Sequence, residues 1–178
     1  DVMALLNEVS ARVDEVSIDE AFLEVSGAQR TLGSPSTIAE LIRARVHEEL
    51  DLPCSVGVAN VTMVAKIAST LAKPNGVLVV PVADTVTFLH SLPVGRLWGV
   101  GGKTVSSLGA IGVYSVAELA ALPPSRLSRA VGKSNAAKLM ALAAGQEVRP
   151  VAGRAAEKSI GSERTFDQDL SEVKVLEQ

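Results

Sequence analysis

Cysteine, histidine and aromatic residues are scarce in this sequence, and each scarcity excludes a class of chemistry. Cys54 is the one cysteine, so neither an intramolecular disulfide nor a multi-cysteine zinc site can form. It lies in an apolar run with Val56 and Val58 and reads as a core residue. His47 and His90 are isolated, so nothing in the sequence suggests a Ser/His/Asp triad, and one cysteine with two separated histidines argues against zinc. Aromatic side chains make up 3% of the chain, with one tryptophan and one tyrosine, too few for a base-stacking platform. No apolar run approaches a membrane span, and the first residues carry no basic stretch followed by an apolar one, so the reading is a cytoplasmic protein without a membrane partner. The sequence opens at Asp1 with no initiator methionine, so a processed product or a piece of a longer protein is expected.

What is present suffices for a folded core. The chain has 178 residues, 47% of them hydrophobic, a length that suits one domain or two small ones. Its net charge of −3 hides an uneven distribution. Residues 1 to 93 carry 6 Lys/Arg against 12 Asp/Glu, residues 94 to 161 carry 9 against 3, and residues 162 to 178 carry 2 against 5. An acidic first half followed by a basic segment reads as two units with different partners, or as chance clustering on solvated helix faces.

Hydrophobic spacing predicts a helix over Met3 to Val13, then a pair of strands, then a loop over Gly27 to Ser36. A second helix starts at Pro35 with a Thr37-x-x-Glu40 capping box and presents Ile38, Leu41, Ile42, Val46 and Leu50 on one side. Strands over Ser55 to Ala59 and Val77 to Val80 flank a helix over Val61 to Ala72. Asp84 is placed to cap a short helix to Leu92. The order suits an α+β sandwich, with helices on one face of a largely antiparallel sheet and the other face open to a substrate. After Pro93 the strand signals stop, and short helices punctuated by glycine follow. They include a Ser115-x-x-Glu118 capping box, a break at Pro123-Pro124 and a helix from Ser134 to Ala144 closed by Gly145.

Three constellations could carry chemistry. In Val13 to Val25 the apolar residues fall at even positions before Asp19 (Val16, Ile18) and at odd positions after Glu20 (Ala21, Leu23, Val25). A slip of one residue marks a bend, bulge or tight turn, which can aim two adjacent carboxylates at one point instead of opposite faces. Such a pair is either a hairpin turn of solvated acids or a site for Mg²⁺, which binds through one or two carboxylates plus substrate phosphates. Leu97 to Ile111 reads as two short helices joined by a Gly-Val-Gly turn. The backbone amides of Gly99, Val100, Gly101 and Gly102, with Lys103 and Thr104 beside them, can approach a phosphate, or the glycines form a hinge between packed helices. Lys66 and Lys73 are seven apart, so they share a face if the helix is continuous. Lys73 stands beside Pro74-Asn75-Gly76, either to meet a phosphate or as a cation at a helix C-terminus.

Four blocks, SIDEAFLEV, SVGVANVTMVAKIASTLAKPNG, LWGVGGKTVSSLGAIGVYSVAEL and KSIGSERTF, occur in that order over nearly the whole chain. Together they resemble the Y-family translesion DNA polymerases, most closely the DinB, or DNA polymerase IV, branch. The resemblance implies that residues 1 to 93 are the C-terminal part of a palm, a ferredoxin-like antiparallel sheet with helices on one face. Residues 94 to 154 would be an all-α thumb whose helix-hairpin-helix grips DNA backbone, and residues 155 to 178 a linker and the first strand of a little finger. It further implies that Asp19 and Glu20 bind metal and act in catalysis, joining a third carboxylate around two Mg²⁺ ions. Lys73 would contact the incoming deoxynucleoside triphosphate, Lys158 would join the DNA-binding set, and primer-template DNA would be the partner. A sliding clamp would be engaged through parts outside this sequence. The alternatives are a non-catalytic DNA-binding helix-hairpin-helix module, in which the acidic pair is only a turn, and another palm-type nucleotidyl transferase or cyclase.

The resemblance also implies a first strand bearing an early metal-binding aspartate, a steric-gate aromatic and fingers, none of which lies within these residues. Two-metal phosphoryl transfer needs both ions clamped between the attacking and leaving oxygens. The purified 178-residue chain is therefore expected to extend no primer on its own. Template-dependent incorporation that disappears in Asp19→Ala would contradict that expectation.

Overall fold

The computed structural model describes residues 1–146 and 151. The segment assigned to a little finger, with its strand over residues 158 to 166 and Lys158, lies outside the described residues.

Helix α1 (Val2–Val9) starts on Asp1, whose carboxylate accepts from Ala4 N at 2.9 Å. It stops at Ser10, short of the predicted Val13. The Ser10 hydroxyl donates to Glu24 O at 2.6 Å and accepts from Arg12 N at 3.1 Å, local bonds that compete with helix continuation. Val13 instead opens strand β1 (Val13–Glu15), which pairs antiparallel with β2 (Ala21–Leu23), Val13 facing Leu23 and Glu15 facing Ala21.

The predicted loop over Gly27 to Ser36 contains a 3-10 turn (Ser26–Ala28) and one turn of helix, α2 (Gln29–Leu32). Helix α3 (Pro35–Leu50) is capped by Ser34, which accepts from Thr37 N at 3.2 Å, and not by Thr37 as the capping-box pattern suggests. Proline at the first helical position has no N–H to satisfy and a preset φ, so the cap falls on the residue before it. Ile38, Ala39, Ile42 and Val46 are buried along one stripe of α3, while Leu41 and Leu50 are half-buried.

Strand β3 (Val56–Val58), helix α4 (Thr62–Leu71) and strand β4 (Val77–Val79) follow as predicted. The α+β class stands, but the strand pairing is mixed: β3 and β4 are parallel, because a helix between two strands carries the chain back to the same end. Gly57 lets α4 lie directly on β3. A Cβ there would stand 1.9 Å from Ala65 O and 2.4 Å from Ser69 N.

Beyond β4 come a 3-10 turn (Val82–Asp84) and α5 (Thr85–His90), in which Asp84 makes no side-chain cap. The helical unit is α6 (Gly102–Gly109), α7 (Val116–Ala120), α8 (Pro124–Val131) and α9 (Lys133–Ala143). The Ser115 capping box is complete: Ser115 Oγ accepts from Glu118 N, and Glu118 accepts from Ser115 N at 2.9 Å and Tyr114 N at 2.8 Å. Gly145 takes φ +69° after α9, as a C-terminal cap requires.

Two apolar clusters result. The smaller joins Leu5, Leu6, Val9, Val13, Ile38, Ile42 and Val46. The larger runs from Val61, Val64 and Ile67 around α4 to Leu108, Leu127 and Leu142 in the helical unit. Because α4 touches β3 backbone to backbone, Gly57→Ala is expected to lower the unfolding free energy by about 3 kcal/mol, at the upper end of overpacking costs. Chemical denaturation checks this, and a loss under about 1 kcal/mol would show that α4 can move off the strand.

Candidate active site

The site grows out of the turn between β1 and β2. Val16 N and Ser17 N both donate to the carbonyl oxygen of Glu20, at 2.9 and 3.1 Å. Val16 opposite Glu20 continues the register of the pair, so Ser17, Ile18 and Asp19 form a three-residue turn and not a bulge. The alternation changes phase because Val16 lies on the face opposite to that of Val13, Ala21 and Leu23. Ile18 is carried to the tip and is 98% exposed, so it belongs to no core.

The turn gives the adjacent acids different surroundings. Asp19 is solvent-exposed and accepts from the Ser17 hydroxyl at 2.5 Å. That hydrogen bond, with smaller help from the Lys73 and Lys66 charges, holds its carboxyl below the usual aspartate range. Glu20 turns toward α4, where its Oε2 is ion-paired with Lys66 Nζ. The Lys66 ammonium lies 5.8 Å from the centroid of the Trp98 ring, and that ring meets Phe22 of β2 at 5.9 Å between centroids and 41° between planes.

Lys73 does not share a helix face with Lys66, because α4 ends at Leu71 and Lys73 lies in the following turn. The turn nevertheless brings it to the same place. Asp19, Glu20, Lys66 and Lys73 all line one cavity of about 720 Å³, whose other walls include Leu23, Val25, Ile38, Ile42, Val56 and Val58. Among the described residues no third acidic, histidine or cysteine side chain completes a metal cluster.

The glycine turn lies apart from that cavity. The element before it is a 3-10 turn (Val94–Arg96), shorter than the helix predicted from Leu97, and Gly99 reverses the chain at φ +82°. The first backbone bond entering α6 runs from Val105 N to Gly101 O, so the amides of Gly102, Lys103 and Thr104 precede the helical ladder as N-terminal orphans. Lys103 is exposed and Thr104 half-buried. Lys138 of α9 also belongs to this turn, its Nζ 3.2 Å from where a Gly99 Cβ would stand. Trp98 connects the two regions, preceding Gly99 in the chain while touching Lys66 and Phe22.

The chain is similar to known proteins along most of its length. Residues 1–70 match the family model for the impB/mucB/samB family. A DNA polymerase IV of Mesorhizobium japonicum is 40% identical over 97% of this chain and 41% of its own length. The crystal structure of DinB from Sulfolobus solfataricus is 29% identical and matches with a TM-score of 0.74 over 84% of this chain and 44% of that one. An insertion ternary complex of Dbh DNA polymerase is likewise similar, at 27% identity and a TM-score of 0.75, again over 84% of this chain and 44% of that one. The likeness is to DNA polymerases of the DinB and Y-family kind. The chain spans less than half the length of the curated polymerases it matches.

Neither Lys66 as the partner of Glu20 nor the Phe22–Trp98 pair was visible in the sequence. The ion pair joins residues 46 apart, a separation that no local periodicity records.

Ser17→Ala should raise the Asp19 pKa toward the ordinary aspartate value, since the hydroxyl is the largest cause of its depression. The native carboxylate stays ionised to lower pH, so its contribution is present above the ordinary value and lost as pH falls through the depressed one. Carbon-detected NMR titration of Asp19 measures the change. An unmoved pKa would mean that the Ser17 bond is absent in solution.

Proposed function

We propose that this chain is the palm-and-thumb part of a template-directed, error-prone DNA polymerase. In that polymerase the primer 3′-hydroxyl attacks the α-phosphorus of a deoxynucleoside triphosphate and pyrophosphate leaves. Residues 1 to 93 would be the later palm, 94 to 154 the thumb, and 155 to 178 the linker and start of the little finger. The observation that carries the reading is the hairpin turn, which sets Asp19 and Glu20 side by side at an exposed tip facing two lysines.

The donor set fits a hard divalent cation. Two carboxylates at adjacent positions offer oxygen ligands, and the Glu20 carboxylate already holds a cation, the Lys66 ammonium. In the reading proposed, Asp19 and Glu20 would hold Mg²⁺, with remaining ligands from nucleotide phosphates and from parts of the polymerase outside these residues. Bound Mg²⁺ supplies charge neutralisation at the attacking and leaving oxygens. Lys73 meets the triphosphate charge from the side of the cavity. Ser17 keeps Asp19 ionised and oriented. The amides of Gly99 to Gly102, with Lys103, Thr104 and Lys138, hold duplex backbone without reading bases, and Lys158 joins them in the same proposal. A cytoplasmic location and a clamp partner complete the reading.

The charge layout supports the thumb assignment. Among the described residues the ion pairs involve Lys66, Arg43 and Arg45, and none involves a cation beyond residue 93. A basic helical unit without internal neutralisation suits a polyanion.

Duplex affinity should be similar for unrelated sequences and fall with salt through counterion release. Lys103→Ala is expected to reduce the magnitude of the log-affinity against log-salt slope by about 1. Asp19→Ala, which removes negative charge elsewhere, should leave binding unchanged or slightly tighter. Fluorescence anisotropy over a salt series with two unrelated duplexes tests both. An unaltered slope in Lys103→Ala together with weaker binding in Asp19→Ala would refute the thumb assignment.

A further inference from the structure

Lys66 occupies an unusual position for a half-exposed lysine. Its ammonium is committed to the Glu20 carboxylate and lies over the face of Trp98, so one cation serves both a ligand of the acidic pair and the ring that precedes the glycine turn. Its own segment is braced: the Lys66 carbonyl accepts from Ser69 Oγ at 2.8 Å and Thr70 Oγ1 at 3.0 Å. Phe22, two residues after Glu20, packs on the same ring. Glu20, Lys66, Trp98 and Phe22 therefore close a circuit of contacts.

We propose that Lys66 is the resident counter-ion of Glu20, a positioning residue that holds the carboxylate until a divalent cation exchanges with it, the released ammonium staying on the Trp98 face. The proposal rests on the reading of Asp19 and Glu20 as cation ligands. Coulomb repulsion disfavours keeping an ammonium and a doubly charged ion on one carboxylate, so exchange wins over coexistence. The indole face gives the displaced ammonium a second attraction that needs no carboxylate. Lys66 itself lines the cavity that Lys73 lines, where nucleotide phosphates would arrive, while Trp98 lies outside that cavity's walls.

Competition has a signature opposite to that of a merely structural role. If Lys66 only propped the hairpin, its loss would weaken cation binding; if it competes, its loss strengthens it. The full chain has one tryptophan, so its emission reports on Trp98 alone. Mn²⁺ binding would be measured from the EPR signal of the free ion in wild type, Lys66→Met, Lys66→Arg and Asp19→Asn, with Trp98 emission followed in parallel Mg²⁺ titrations. Lys66→Met is expected to bind Mn²⁺ about threefold tighter in about 0.1 M salt, a modest gain because the pair is partly exposed and screened. Lys66→Arg should match wild type, and Mg²⁺ should alter Trp98 emission in wild type but not in Lys66→Met. Equal or weaker Mn²⁺ binding by Lys66→Met, with native circular dichroism and with Asp19→Asn weakening binding, would overturn the exchange while the cation-ligand reading stands. If Asp19→Asn leaves Mn²⁺ binding unchanged, the reading of the acidic pair fails and this proposal fails with it.

Discussion

The carbonyl oxygen of Glu20 accepts hydrogen bonds from two successive amides, Val16 and Ser17, and the rest of the site depends on that shared acceptor. In an unbroken strand Asp19 and Glu20 would point to opposite faces, one of them into the core. Here the strand pair closes at Val16 and Glu20, which leaves Asp19 in the turn. Asp19 then stays at the tip with Ser17, while Glu20 swings to α4 and Lys66. Neither carboxylate is buried, so neither carries the desolvation penalty that an enclosed acidic pair would bring. Exposed Ile18 is the visible by-product of the same geometry.

Charge is sorted around this hairpin in a way that net charge conceals. Of the cations in the acidic half, Arg43 and Arg45 are tied to Glu40, Glu49 and Glu8 on the outside of α3, while Lys66 and Lys73 face the acidic pair. In the helical unit the balance reverses. Glu118 is the one acidic residue between positions 94 and 146, and its carboxylate is spent on the Tyr114 and Ser115 amides, which hold its pKa below the usual glutamate range. Local capping chemistry thus spends the one acid of that stretch, and among the described residues no ion pair involves a cation beyond residue 93.

Features set by neighbouring residues could be read in the sequence; features set by packing could not. The slipped alternation at Asp19, read as a bend, bulge or tight turn, marks the turn over Ser17 to Asp19. Ser115 and Glu118 foretold a cap for the same local reason. Thr37-x-x-Glu40 misled because it matches the capping pattern one turn too late, and Pro35 was the stronger signal. The antiparallel expectation for the later strands overlooked that α4 separates β3 from β4, which forces a parallel pair. The sequence pattern gave no role to Trp98, since its partners Phe22 and Lys66 come from distant elements. Asp19, Glu20, Lys73 and the glycine turn were all legible as candidates, but the lysine that holds Glu20 emerged only when α4 was placed against the hairpin.

That placement has a consequence for how the site can move. Helix α4 contributes Val64, Ile67 and Ala68 to the larger cluster, together with α5 to α9, whereas the hairpin belongs to the smaller cluster through Val13, Ala21 and Leu23. The acidic pair and its lysine therefore sit on opposite sides of a seam. Interdigitated apolar cores resist displacement, since a gap of half an ångström already forfeits much of their contact energy. The hairpin's side-chain contacts across this seam include an exposed ion pair, Glu20 with Lys66, and a tilted ring pair, Phe22 with Trp98. These keep part of their attraction over small shifts, and the ion pair can also exchange with solvent or another cation. A seam built from such contacts lets Glu20 and Lys66 part without opening either apolar cluster.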